Sequence, residues 1–197
     1  MSKKLLSKSL LVMSGVILLG APVFGSASAQ VTDTPGRTIS FNTLVENKEN
    51  RSLLQENIKD KAPSTTKLDI VVTASQNLKS PVTPDQANQF LVAVDKEVTK
   101  TIKAYKDKRE AKREIYAAMH AVLDKKYTQM GDEVRDMLDD ISVKVKEVLG
   151  AQDPVKRKQL EGERDALRTK QKALADERIA LFKAMDVIAK AHDGLGG

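Results

Sequence analysis

The chain has 197 residues, 33 Lys and Arg against 27 Asp and Glu, two His, no Cys and no Trp, and a formal net charge of +6. Without Cys it has no thiol nucleophile, no thiolate metal site and no disulfide framework. Scarce aromatics beside abundant Ala, Leu, Glu, Lys and Arg suit long helices in narrow contact rather than a wide core.

The first segment reads as a leader rather than as fold. Lys3, Lys4 and Lys8 precede an apolar stretch from Leu10 to Phe24, and Ala27-Ser28-Ala29 supplies a small-residue cleavage pattern before Gln30. That order of charge, apolar core and A-x-A is the pattern of a cleavable secretory signal peptide over residues 1–29. The apolar stretch contains Gly and Pro and is shorter than the ~20 residues a spanning helix needs, so no stable membrane span is expected after cleavage. Removing the three lysines lowers the net charge to +3, which leaves little basis for a nucleic-acid partner.

Residues 30–82 read as a weakly structured arm. Leu44, Val45, Leu53, Leu54 and Ile58 suit a short amphipathic helix over 41–61, with a polar gap in its middle. Lys67 to Ala74 contains Ile70, Val71, Val72 and Thr73, a β-branched run that predicts one strand over 67–74. A lone strand cannot satisfy its own ladder, so this one is expected to be extended or to pair with another chain.

Residues 83–193 read as a long antiparallel helical hairpin, coiled-coil-like, which makes the fold class all-α. Thr83 is the expected N-cap, Pro84 the first helical residue, Asp85 a favourable charge on the dipole and Gln86 the partner in a capping box. Apolar residues then recur at intervals of mostly three and four, from Ala87 through Tyr105 and from Ile115 to Val148. Gly131-Asp132 breaks or weakens this helix. Gly150 is the expected stop, and Asp153 and Pro154 the cap and first residue of the last helix. So short a loop makes the flanking helices antiparallel neighbours. Residues 194–197 form a glycine-rich flexible tail.

Leu160, Leu167, Leu174, Leu181 and Ile188 recur every seven residues. A turn near residues 151 and 152 sets Leu160 against Val143, Leu167 against Met137, Leu174 near Met130, Leu181 against Val122 and Ile188 against Ile115. The 154–172 stretch has seven basic and three acidic residues, and 132–149 has six acidic and three basic. This sign difference favours the same pairing. A parallel zipper with another chain fits less well, because its second seam position would hold Arg157, Arg164, Gln171, Arg178 and Met185, four of the five polar. A straight 84–149 helix would project past the hairpin by ~40 Å. Its stripe of Phe90, Leu91, Val94, Val98, Ile102 and Tyr105 is then the expected protein-contact surface.

No catalytic or cofactor constellation appears. His120 and Asp124 are spaced i,i+4, but two ligands do not make a metal site. Ser64 to Lys67 matches S-x-x-K without the companion motifs that chemistry needs. The carboxylates Asp132, Glu133, Asp136, Asp139 and Asp140 suit a solvated face, and the interrupted basic run after Pro154 is unlike a basic-zipper DNA reader.

Val82-Thr83-Pro84-Asp85-Gln86 resembles the L-T-x-x-Q motif of the Spy/CpxP periplasmic proteins, with Val in place of the first Leu. Over those five residues the resemblance implies an exported, helical, chaperone-like protein. The expectation is thus a non-enzymatic protein without cofactor or metal, periplasmic or extracellular. It binds a protein client as an envelope chaperone or adaptor, or self-associates as a homo-oligomer. The alternatives are a subunit of a secretion, adhesion or surface assembly and, third, a membrane-active effector component.

Overall fold

A computed structural model describes residues 39–58 and 66–196. The leader, residues 30–38, the end of the expected 41–61 helix, and Ser64 and Thr65 lie outside the described residues. Within them the fold is all-α, with α1 Phe41–Glu46, α2 Lys48–Ile58, α3 Thr66–Ser75, α4 Pro84–Thr101, α5 Tyr105–Gly150 and α6 Pro154–Asp193.

The short helices begin where local chemistry starts them. Ser40 accepts from Thr43 N–H while its own N–H donates to Thr43 Oγ1, a capping box built with Thr at the third position. The polar gap inside 41–61 is where that helix breaks. Asn47 Oδ1 accepts from the N–H groups of Glu49 and Asn50 and so starts α2 afresh. Thr83 caps α4 through Gln86 N–H, and Pro84 follows. The Gln86 side chain, expected to complete a capping box, instead donates to Gln89 Oε1.

Residues 67–74 form a helix, not a strand. In α3, Leu68, Ile70, Val71, Ala74 and Ser75 are all buried. A helix satisfies its own backbone, whereas a single strand has no ladder to join. Its exposed residues Asp69 and Thr73 are one turn apart, but the β-branched run Ile70–Thr73 masks the helical spacing by which an amphipathic helix is recognised. Packing therefore overrides the β preference of the branched side chains.

The expected 84–149 helix is two helices. It is continuous through Gly131 but stops at Thr101 and restarts at Tyr105. The turn brings α4 back beside α5, where Asp95 pairs with Lys112, and α4 packs chiefly on α6 and α3. Val94 and Val98 are fully buried, and Phe41 stacks on Phe90 with ring centroids 5.0 Å apart. The start of α1 is tied to the segment between α3 and α4 by Val82 N–H donating to Ile39 O and Asn42 N–H to Leu78 O. Lys67–Glu114 at 2.7 Å and Lys125–Glu49 at 3.1 Å clip α3 and α2 to α5.

The main core therefore joins α1 to α4 with the first half of α5, as far as Met130, and with the end of α6, from Leu181. The rest of α5 and α6 leaves this head as a two-helix arm. From Met130 to Gly150 the arm extends ~30 Å at 1.5 Å per residue. Its tip has a small core of its own, formed by Val148, Ala151 and Leu160. Asp153 caps α6 through Val155 N–H, and the Arg157 guanidinium donates twice to Ala151 O, which closes the turn.

Candidate protein-contact surface

The stripe expected to lie open is largely covered. Phe90, Val94 and Val98 are fully buried, Leu91 and Ile102 are half-buried, and only Tyr105 stands out, 81 % exposed. The cause is the turn at residues 102–104, which folds α4 onto its own chain and removes the projection on which the expectation rested.

The hairpin residues divide between head and arm. Ile115, Val122, Met130, Leu181 and Ile188 are buried in the head core. Leu160 is buried at the tip, while Met137, Leu167 and Leu174 are half-buried along the arm. Val143, expected opposite Leu160, is 52 % exposed. It follows the buried Ile141 by two positions, about 200° round the helix, and so points away from α6.

Side-chain partners across the hairpin lie further along α6 than the loop alone suggests. Lys144 reaches Glu163 at 2.9 Å, and Tyr127 meets Arg178 and Phe182. In both helices side chains lean toward their own N-terminus, so in an antiparallel pair each contact shifts to higher numbers. The hydrogen bonds from Lys144 to Glu147 and Glu163 raise its ammonium above the usual lysine range. The same bond from Lys144 holds Glu163 below the usual carboxylate range.

The two sides of the arm differ. On one side of the seam, Tyr127, Val134, Leu138, Val145 and Leu149 follow at intervals of seven and four, a second apolar stripe along α5. Tyr127 and Val134 share an open cleft of about 240 Å3 with Ala175, Arg178, Ile179 and Phe182 of α6, which places both stripes on the same side. Arg178 stacks on the Tyr127 ring at 4.0 Å and its Nε donates to Tyr127 O. A Cβ on Gly131 would lie 3.0 Å from the Arg178 guanidinium, so Gly131 leaves the space in which that guanidinium rests. Two helices alone cannot bury this side. On it Leu149 is 77 % exposed, and Leu138, Ile179 and Phe182 are about half exposed; Val155, equally exposed, lies round α6 on the Glu163 side of the seam.

Sequence reasoning missed Tyr127, Leu138, Leu149, Val155, Ile179 and Phe182 as surface residues. The seven-and-four spacing from Tyr127 to Leu149 was the signal available for the α5 members.

No group of three or more His, Asp or Glu able to hold a metal is present among the described residues. His120 lies half-buried on α5, and Asp132, Glu133, Asp136, Asp139 and Asp140 are all exposed to solvent on the arm. Near the C-terminus a second cleft holds Lys108, Arg109 and Lys112, but Arg109 is bound to Leu195 O and Lys112 to Asp95.

Fold and surface together define an all-α protein with a packed head and a projecting two-helix arm. No protein-family model, curated protein or solved structure matches the chain. The likeness of Val82–Gln86 to the Spy/CpxP motif therefore has no family match behind it. Those residues have a structural role of their own: Val82 is buried, and Thr83 and Pro84 start α4.

Proposed function

We propose that the chain is an exported, non-enzymatic protein that binds other proteins, as an envelope chaperone or adaptor, with the arm as its binding element. The observation that carries this reading is the exposure of Leu138, Leu149 and Val155 along an arm that no other described helix covers, with Ile179 and Phe182 exposed at its base. Exposed apolar surface of this extent, rimmed by charge, is characteristic of contact sites. The leader pattern of Lys3, Lys4, Lys8 and Ala27-Ser28-Ala29 supports export. Purified protein in several-fold excess over an unfolding client is expected to suppress the client's light scattering, and unchanged scattering would sink the chaperone reading. N-terminal sequencing of the exported form is expected to start at Gln30; a retained N-terminus would argue for an anchored protein.

A structural subunit is the second reading. It is favoured by the opposite signs of the acidic 132–149 and basic 154–172 stretches, which would suit lateral packing of arms. It predicts concentration-dependent oligomers by light scattering, and a monomer at every concentration would exclude it. A membrane-active role is the third reading, and it predicts leakage of lipid vesicles; among the described residues no helix is long and apolar enough to cross a membrane.

A further inference from the structure

The apolar side of the arm is framed by cations in a regular way. Arg135 and Lys146 on α5 are eleven residues apart, three turns and ~16 Å along the axis, and so share one flank. Arg157 and Arg168 on α6 repeat the same interval. Arg135, beside Asp132, and Lys146 line one rim of the floor formed by Leu138 and Val145; Arg157, bound to Ala151 O, and Arg168, beside Asp165, line the other, where Glu161 also lies, so that cations outnumber acids on this side. The opposite side of the arm is net acidic, with Asp136, Asp140 and Glu147 on α5 and Glu163 and Glu177 on α6 around Lys144, which bonds to Glu147 and Glu163. The apolar stripe of α5 therefore lies on the more positive side.

We propose that this side of the arm is a docking groove for an acidic amphipathic α-helix of another protein, which completes a three-helix bundle. The inference rests on the reading of the arm as a protein-binding element and names the chemistry of the partner. Two antiparallel helices leave a lengthwise groove, and a third helix fills it with its own apolar stripe. The floor from Tyr127 to Leu149 is ~33 Å long, enough for about six turns of ligand helix. Cations on both rims select carboxylates at the flanks of that stripe and repel a basic helix. A second copy of this chain would have to lay the same positive side against this one for the two apolar stripes to meet. A flat lipid surface would not enter the cleft between Tyr127 and Phe182.

The test uses a designed helical peptide of about 21 residues, matched to the arm's length, with Leu at its seam positions and Glu at the flanks. A twin with Lys in place of Glu is the control. Titrated into the fluorescently labelled protein, the Glu peptide is expected to bind at least about tenfold more tightly than the Lys peptide. Its affinity should fall as salt rises. Leu138→Asp, and separately the pair Arg135→Glu and Arg168→Glu, should each abolish binding with helix content unchanged. Val92→Asp, at an exposed position on the head, should not.

Equal affinity for the two peptides, or binding that survives Leu138→Asp, would overturn the proposal, as would no binding by either peptide. Self-association abolished by the same substitutions would assign the groove to a second copy instead. Cosedimentation with anionic vesicles, lost in the same variants, would assign it to lipid. Client protection by the Leu138→Asp variant, with peptide binding absent in the wild type, would leave the chaperone reading standing and remove only the groove.

Discussion

At the scale of single residues, the same substitution at two glycines is expected to have different outcomes. Gly162 sits in α6 with open space around its Cβ position. Gly162→Ala should raise thermal stability by ~1 kcal/mol, the ordinary gain of helix propensity. Gly131→Ala offers the same gain but pushes the Arg178 guanidinium off its rest against Tyr127. Its net effect should be near zero, and Gly131→Leu should destabilise. Thermal melts of the three variants check this. Buried aromatics carry more weight: Phe90→Ala removes a fully buried ring stacked on Phe41 and should cost roughly 3–5 kcal/mol in chemical denaturation. Tyr116 gives a pH signature. Burial first, and then Asp95, push its phenol up to about 12. The unfolded chain ionises this group near the ordinary value of about 10. The folded state is thus favoured by the neutral phenol, fully so below pH 10, and this contribution of roughly 2 kcal/mol fades as pH rises toward 12. Absorbance titration should show a late-ionising tyrosine phase, and Tyr116→Phe should remove it.

At the scale of elements, legibility followed how local the cause was. The starts of α4 and α6 could be read at Thr83-Pro84 and Asp153-Pro154 because a cap and its proline act within one turn. The polar gap in residues 41–61 was visible too, and Asn47 made it a break. The break between α4 and α5 was not legible. Ile102-Lys103-Ala104 contains no Gly or Pro, and Ala104 makes no side-chain cap, so the turn is set by packing of α4 on α6 and α3. The helix α3 was not legible because the β-branched run Ile70–Thr73 masks the one-turn spacing of its exposed Asp69 and Thr73. These differences change the expected effect of substitution. Val94→Asp places a charge at a fully buried position of the head and should lower the melting temperature sharply. Ile102→Asp, half-buried at the turn, should cost far less. Circular dichroism melts separate the two; similar losses would mean that α4 does not close on the head as described.

At the scale of the whole molecule, the heptad of leucines has two jobs. Leu181 and Ile188 belong to the head core and Leu174 packs against it, while Leu160 and Leu167 hold together an arm too thin to bury its own flanks. The all-α class and the antiparallel hairpin were readable because sustained periodicity and a short capped loop determine both. The contact surface was not, because its placement depended on where α4 goes. Once α4 folds back, the exposed apolar surface moves from the 90–105 stripe to the side of the arm. Amide hydrogen exchange should report this division, with protection through Ile115–Met130 and Leu181–Ile188 outlasting that of residues 132–175. The most direct measurement of the central claim is client protection by an arm variant. The Leu138→Asp, Leu149→Asp protein, with helix content and head melting unchanged, is predicted to lose the suppression of client aggregation that the wild type provides. Suppression equal to that of the wild type would contradict the assignment of protein binding to the arm.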